Sequence, residues 1–444
     1  MHDIDFDINL EEISKIEGAA SLEIKIRNSK IRDLKFSISE WKRFYTQAIR
    51  GKPSVAVPQL VSRICGTCSV AHLLASAKAV EDAGSIKITE QTKILRRLLY
   101  NGLIIRDHAL HLYIFALPDI FNKDSILDFD TNDPLQHKLL DDTFEVKEVG
   151  NQMAIIIAGR SVHPPFTTVG GFTKLPAIDD LKKIKPELIK IRPKILELIK
   201  IFAEAKFKMT LRESLTYSAL ASNEYSYLEG TMKICTSEEV KKGSRCHIVT
   251  EANFKNYLEE VIIPYSHARG FKYKGQLIMV GALPRLNINK NSLHPKTKQD
   301  TKQYLKMFPS NNIFHNNLAQ AIETLQAIDD SCDIIDNLKE IKAEKLPLFN
   351  KKESVGVGVI EAPRGTLYYK LKFNDQGAVT WGEIIVPSGQ NQILMERAIF
   401  ELVEQKLENE SFDKDQIIID IESLIRAFDP CMSCASHFLK VNWL

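Results

Sequence analysis

Two Cys-x-x-Cys pairs carry the chemistry of this chain. Cys65 and Cys68 stand in Arg63-Ile-Cys-Gly-Thr-Cys-Ser-Val-Ala-His72, and Cys431 and Cys434 in Asp429-Pro-Cys-Met-Ser-Cys-Ala-Ser-His437. Four thiolates are soft ligands that suit zinc, an iron–sulfur cluster or another thiophilic metal, and suit calcium or magnesium poorly. Residue type alone leaves those three open. The flanks and the separation narrow them: a zinc ribbon has no chemical use for Arg two residues before its first Cys, and its pairs sit within a few tens of residues. Here nearly the whole chain lies between the pairs, so the site exists only once the fold has closed.

In their order and at these residues the pairs resemble the signatures of the large, catalytic subunit of nickel–iron hydrogenases, Arg-x-Cys-Gly-x-Cys-x-x-x-His and Asp-Pro-Cys-x-x-Cys-x-x-His. Between them, Arg160-Ser-Val-His-Pro164 with Gly170-Gly171, Val280-Gly-Ala-Leu-Pro-Arg-Leu-Asn287, Phe314-His-Asn-Asn-Leu-Ala-Gln-Ala-Ile-Glu323, Glu361-Ala-Pro-Arg-Gly-Thr-Leu367 and Val386-Pro-Ser-Gly-Gln-Asn391 are similar to family segments in family order. The middle ones look most like the cytoplasmic multimeric branch, which couples hydrogen to nicotinamide, deazaflavin, sulfur or heterodisulfide partners.

The resemblance implies reversible heterolytic cleavage of H2 at a Ni–Fe centre whose iron carries carbon monoxide and cyanide. It makes Cys65 and Cys431 terminal nickel ligands, and Cys68 and Cys434 bridges to iron. Arg364, constrained by Pro363 and Gly365, and Ser388 match the donors to cyanide, with Asp107 and Asp429 as the acidic residues around that arginine. Cys431 would take the proton, and Glu17, in Lys15-Ile-Glu-Gly18, would relay it outward. His72, four residues after Cys68, shares its helical face and is placed to donate to a coordinating sulfur. Two other readings use the same cysteines: a hydrogen-sensing regulatory subunit, and a non-catalytic zinc scaffold related to respiratory-complex subunits.

The chain departs from the family pattern in three places. Ala19 replaces a His after Ile-Glu-Gly, and Tyr369 replaces the His of Leu-x-His. Thr46 replaces a glutamate that, with the residue matching His437, helps hold a magnesium or iron ion, so that ion loses a hard ligand here. The seven residues Phe438–Leu444 follow the point at which most family members are cleaved during maturation.

The remaining cysteines, Cys235, Cys246 and Cys332, lie singly and read as buried thiols, too sparse to ligate a cluster. A reaction centre without a wire implies a partner, the iron–sulfur small subunit of such enzymes, with flavin or ferredoxin-like subunits beyond it. Seven cysteines with four in metal-type pairs suit a reducing compartment better than a disulfide framework. The acidic start, Met1-His-Asp-Ile-Asp-Phe-Asp, and the absence of any apolar run near 20 residues point to a cytoplasmic location without a membrane span. Lys plus Arg number 59 against 57 Asp plus Glu, interspersed, which argues against a nucleic-acid partner.

Positioning such a site requires the two chain ends to meet, so we expect one interlocked unit over 1–444. Its parts are an N-terminal β region (1–40), a helical core (69–340) and a strand-rich, metal-binding region (354–444). The fold class expected is α+β, predominantly α, a long-helix bundle like that of the hydrogenase large subunit. Alternation over Leu22–Arg27 and Ile31–Ile38 predicts a hairpin. Helical patterning covers Ser69–Ala83, 90–116 with Thr89 as N-cap, 178–213, 313–340, 391–408 and 415–427, and strands are predicted at 354–361 and 366–373.

Overall fold

The computed structural model describes residues 5–408 and 413–436. Its framework is helical: Ser69–Gly84, Glu90–Ala109, Pro134–Ala158, Ile178–Glu204 and His315–Asn337 pack on one another. The Ile178–Glu204 helix shows why. Leu181, Ile184, Leu188, Ile191, Ile195, Leu198 and Phe202 recur at three- and four-residue intervals and are all buried, the stripe that drives a helix onto a core. The fold is α+β, with long helices at its centre and sheets around them.

Most predicted elements appear close to their expected bounds. The hairpin is Ala20–Arg27 with Lys30–Ile38, joined by Phe6–Leu10 into an antiparallel sheet. Thr89 caps its helix by accepting from the Thr92 N–H. Ser354–Ala362, Gly365–Phe373 and Val379–Ile385 form a second antiparallel sheet, and the helices Pro387–Leu407 and Lys414–Ala427 follow it.

Four expectations need correction. The region 69–340 is not purely helical: it contains a six-stranded sheet. Its strand order is His247–Val249, Thr231–Thr236, Thr216–Ala221, Gln276–Met279, Arg269–Tyr273, Leu258–Ile262. Thr216–Ala221 is buried at all six positions, the polar Thr216 and Ser218 included, so it has no solvent-facing side. Second, the helix expected over 178–213 stops at Glu204, because tertiary acceptors take the backbone beyond it: the Met209 N–H donates to Asn312 and the Arg212 N–H to Glu401. Third, the helix expected over 90–116 is α-helical only to Ala109 and π-helical over Leu110–Ala116, and the chain then continues into a further short helix, Leu117–Ile120. Fourth, Cys235 and Cys246 are not separate thiols but a disulfide. The turn of helix Ser237–Lys242 reverses the chain, and pairing of Ile234 with His247 brings the two cysteines side by side.

A compact arrangement sets the depth of the first cysteine pair. The Ser69–Gly84 helix lies backbone-to-backbone on the Ser354–Ala362 strand, at Gly356 and Gly358. A Cβ on Gly358 would stand 2.2 Å from the Ala75 carbonyl oxygen and 2.7 Å from the Ala79 nitrogen. Behind this sheet, Val357, Val359, Tyr368 and Ile385 pack with Leu220, Ile234, Phe254 and Phe271 in a smaller second core, so the six-stranded sheet buttresses the strands that carry Arg364. Gly358→Ala should therefore lift the helix that begins at Cys68, costing about 1–3 kcal/mol as an overpacked core does. Thermal unfolding and nickel content measured together check it, and wild-type values for both would show that the contact yields freely.

Candidate metal centre

Local sequence rules place each cysteine. Cys68 is the N-cap residue of the Ser69–Gly84 helix, and Cys65 ends the turn before it. Arg106 donates to the Thr67 carbonyl between the two cysteines and to the Ser161 carbonyl. Cys431 follows the Lys414–Ala427 helix through Asp429, whose φ of 49° turns the chain, and its N–H donates to Ser388 Oγ at 2.7 Å. Ser388 lies in the first turn of the Pro387–Leu407 helix.

The chain ends meet at this point. Glu17 and Cys431 form a parallel β-bridge, and the Met432 N–H donates to the Glu17 carbonyl. Gly18 makes that contact possible: its φ is +78°, and a Cβ there would stand 2.9 Å from that of Met432. The Glu17 carboxylate accepts from the Ser433 N–H (3.1 Å) and lies 3.0 Å from Cys431 Sγ and 4.0 Å from Cys65 Sγ.

All four sulfurs are buried and mutually within 4.8 Å. Cys65 and Cys431 Sγ are 3.3 Å apart, and Cys68 and Cys434 Sγ 3.2 Å. Charge is distributed unevenly among them. Hydrogen bonding from Cys431 and the other sulfurs holds the Cys65 thiol well below its ordinary range. Burial pushes Cys431 and Cys434 well above theirs. Cys68 sits at about 11 although Cys431 and Cys434 hydrogen-bond to it, because Cys65 and burial outweigh both those contacts and the helix N-terminus. Gathering all four as thiolates at one buried point calls for a bound multivalent cation.

Beside the sulfurs lies a small cavity walled by Cys68, His72, Ala362, Arg364, Leu367, Pro387, Ser388, Cys431 and Cys434. Arg364 pairs with Asp107 (3.1 Å) and Asp429 (2.9 Å), both buried. Desolvation opposes its charge, yet those two carboxylates hold its pKa well above the usual value. Its Nε is buried without a hydrogen-bond partner among the described residues, as a guanidinium does when it awaits a non-protein acceptor. The donor set and this orphaned N–H fit a thiolate-bound metal whose further ligands accept hydrogen bonds. Pro363 is not on the cavity wall; its carbonyl accepts from Arg285. His72 Nε2 is 3.3 Å from Cys434 Sγ.

Thus Glu17, Cys65, Cys68, His72, Asp107, Arg364, Ser388, Asp429, Cys431 and Cys434 converge. His437, and with it the second-metal expectation and the tail Phe438–Leu444, lies outside the described residues. Thr46 lies in the short helix Tyr45–Ala48.

Sequence reasoning assigned no role to a supporting layer. Arg285 donates to both Glu323 oxygens (2.7 Å each), to Glu361 (3.2 Å) and to the Ala362 and Pro363 carbonyls (2.9 Å each), which uses every donor of a guanidinium. Desolvation works against the Glu323 carboxylate, but Arg285 and His108 hold it down to about 2. Asp429 is fixed in place by a hydrogen bond: Gln320 Nε2 donates to it at 2.7 Å, and Gln320 Oε1 is 2.6 Å from His111 Nδ1. Arg285, Gln320, Glu323 and Glu361 all fall in family-like segments, which was their only signal; the π-helical His111 had none.

Comparison with known proteins agrees with this geometry. The family model described as nickel-dependent hydrogenase matches residues 43–139 and 225–437, which include both cysteine pairs. The chain is 33% identical to the alpha subunit of sulfhydrogenase 2 of Pyrococcus furiosus over 98% of its own length and 100% of that protein. It is 28% identical to a subunit of the F420-non-reducing hydrogenase vhc of Methanococcus voltae over 97% and 94%. A solved NAD+-reducing [NiFe]-hydrogenase in the H2-reduced state shares the fold, with a TM-score of 0.84 at 22% identity over 98% of this chain and 100% of that one. A curated relative above 30% identity along the full length, with four cysteine sulfurs gathered in one buried cluster that could hold a metal, settles the family: the chain belongs to the nickel-dependent hydrogenases, where it is a large, catalytic subunit.

Proposed function

We propose that this chain cleaves H2 reversibly at a Ni–Fe centre held by Cys65, Cys68, Cys431 and Cys434, within the multimeric branch represented by the sulfhydrogenase and F420-non-reducing relatives. The carrying observation is the cluster of four buried sulfurs beside an arginine with an unpartnered N–H. When bound, the centre supplies heterolytic cleavage of H2. Cys65, Cys68, Cys431 and Cys434 would together hold it, each supplying one sulfur. Arg364 Nε and Ser388 would donate hydrogen bonds to cyanide ligands of the iron.

Cys431 Sγ takes the proton and passes it to Glu17 Oε2, 3.0 Å away. Burial, then the Cys65 charge, raises the Glu17 pKa, which favours uptake. The glutamate is half-buried, so it reaches from the cluster toward the surface.

Electrons leave through an iron–sulfur partner. The segment over the cysteines supports this seat: Trp41 is 83% exposed, its carbonyl accepts from Ser436, and Arg43 donates to the Ile64 and Ser433 carbonyls. Phe44, Val55 and Leu60 are exposed apolar side chains in the same stretch of chain. Further flavin or ferredoxin-like subunits would accept from that partner. We place the assembly in the cytoplasm; among the described residues no helix is long and apolar enough to cross a membrane.

Purification of the tagged chain from its native host tests the reading. Nickel, iron and a co-eluting iron–sulfur protein are the expected result, and zinc alone would sink it. In the same preparation Cys431→Ser should lose nickel and activity, because a hard hydroxyl replaces a soft ligand and proton acceptor.

Arg364→Lys should retain the metals yet slow H2 cleavage at least ~10²-fold, since a point ammonium lacks the planar fork. Turnover at the wild-type rate would return Arg364 to a structural role. Glu17→Gln keeps shape but cannot carry a proton, so H–D exchange, which needs no electron acceptor, should fall with oxidation. Exchange persisting at the wild-type rate would mean that protons leave elsewhere.

A further inference from the structure

Tyr369 stands on the Gly365–Phe373 strand, fully buried, where the family pattern has histidine. Its hydroxyl lies 2.7 Å from His72 Nδ1, with the rings edge-to-face at 80°. On the other side of the same imidazole, Nε2 is 3.3 Å from Cys434 Sγ.

A neutral imidazole has one N–H donor and one bare acceptor nitrogen, and its neighbours decide which is which. A metal-bound thiolate can only accept. His72 therefore satisfies Cys434 only with its proton on Nε2, which leaves Nδ1 needing a donor. A tyrosine hydroxyl can fill that need, and burial, followed by the Cys434 and Cys68 charges, keeps this one protonated well beyond working pH.

We propose that Tyr369 is a positioning residue of the hydrogenase centre: its O–H donates to His72 Nδ1, and this holds His72 with Nε2–H aimed at the Cys434 sulfur. The inference rests on the reading of Cys434 as a metal-bound thiolate. A fixed donor withdraws electron density from the sulfur, so it tunes the metal through a contact two groups away. The ring is fully buried, so removing the hydroxyl alone, which leaves its packing in place, is the informative change.

The test uses the assembled complex, wild type and Tyr369→Phe. The variant should keep its nickel and iron. Its carbon monoxide and cyanide infrared bands should move to lower wavenumber and its midpoint potential to more negative values, since Cys434 donates more charge once the N–H is no longer held. Bands and potential identical to wild type, at full metal content, would overturn the proposal. Neutron diffraction from the deuterium-exchanged wild-type complex decides independently of how the variant folds. Deuterium on His72 Nε2 and on the Tyr369 oxygen toward Nδ1 supports the assignment, and deuterium on Nδ1 overturns it. A wild-type complex lacking nickel and the infrared bands would instead sink the metal reading, and this proposal with it.

Discussion

Four buried sulfurs from the two ends of the chain must share one point, and most of the architecture serves that constraint. Negative charge in a low-dielectric interior is costly unless cations answer it at close range. Arg364 supplies one such cation, fixed between Asp107 and Asp429, and the metals supply the rest. Because Asp107 lies on the Glu90–Ala109 helix, Arg364 in a strand turn and Asp429 beside the cysteines, this one ion triad ties the three regions together. The Glu17–Cys431 bridge closes the circuit by pinning the N-terminal sheet to the last described segment.

Behind the triad stands a second set of buried charges. Arg285 spends all its donors on Glu323, Glu361 and two carbonyls of the Arg364 turn, so the turn is held by a second buried cation. Breaking a pair of this kind costs about 3–5 kcal/mol, because the surviving charge stays buried. Such a network adds little net stability over an apolar core, and its value here is that it leaves Arg364 a single orientation. The π-helical stretch has a comparable effect, carrying the His111 that orients Gln320 and, through it, Asp429.

The proposed chemistry needs separate exits for protons and electrons, and the surroundings of the sulfurs differ accordingly. Glu17 touches the Cys431 side and is half-buried, a path for a charge that moves by short hydrogen bonds. The Trp41–Phe44 segment, bonded to the Ile64 and Ser433 carbonyls beside the cysteines, is exposed and sets apolar Trp41 and Phe44 beside basic Lys42 and Arg43, a surface suited to a docked electron carrier. His72 and Tyr369 occupy the inner side, where neither exit is needed and a rigid donor can be kept dry.

The two cysteine motifs pointed to a thiophilic metal, because soft thiolates have few substitutes, and the resemblance of their flanks and of the segments between them to the nickel–iron hydrogenases supplied the centre and the family. Long amphipathic helices and the N-terminal hairpin were legible for a related reason: periodic burial leaves a periodic pattern. The strand Thr216–Ala221 is too short and too evenly buried to show periodic burial, since both of its faces are covered, and the sheet around it is not legible in the sequence. The end of the helix at Glu204 depends on Asn312 and Glu401, far away in sequence, and the Cys235–Cys246 bond on the pairing of strands that were not foreseen. Glu17, Asp107 and Arg364 could be named from motifs, but which sulfur Glu17 approaches was a matter of tertiary contact. Tyr369 shows the limit most clearly. In sequence it is a missing histidine; its partnership with His72 arises because strand and helix pack close enough for one hydroxyl to reach one ring nitrogen. Ligand identity is a property of residue type, whereas the orientation of each ligand's neighbours comes only from packing of distant segments.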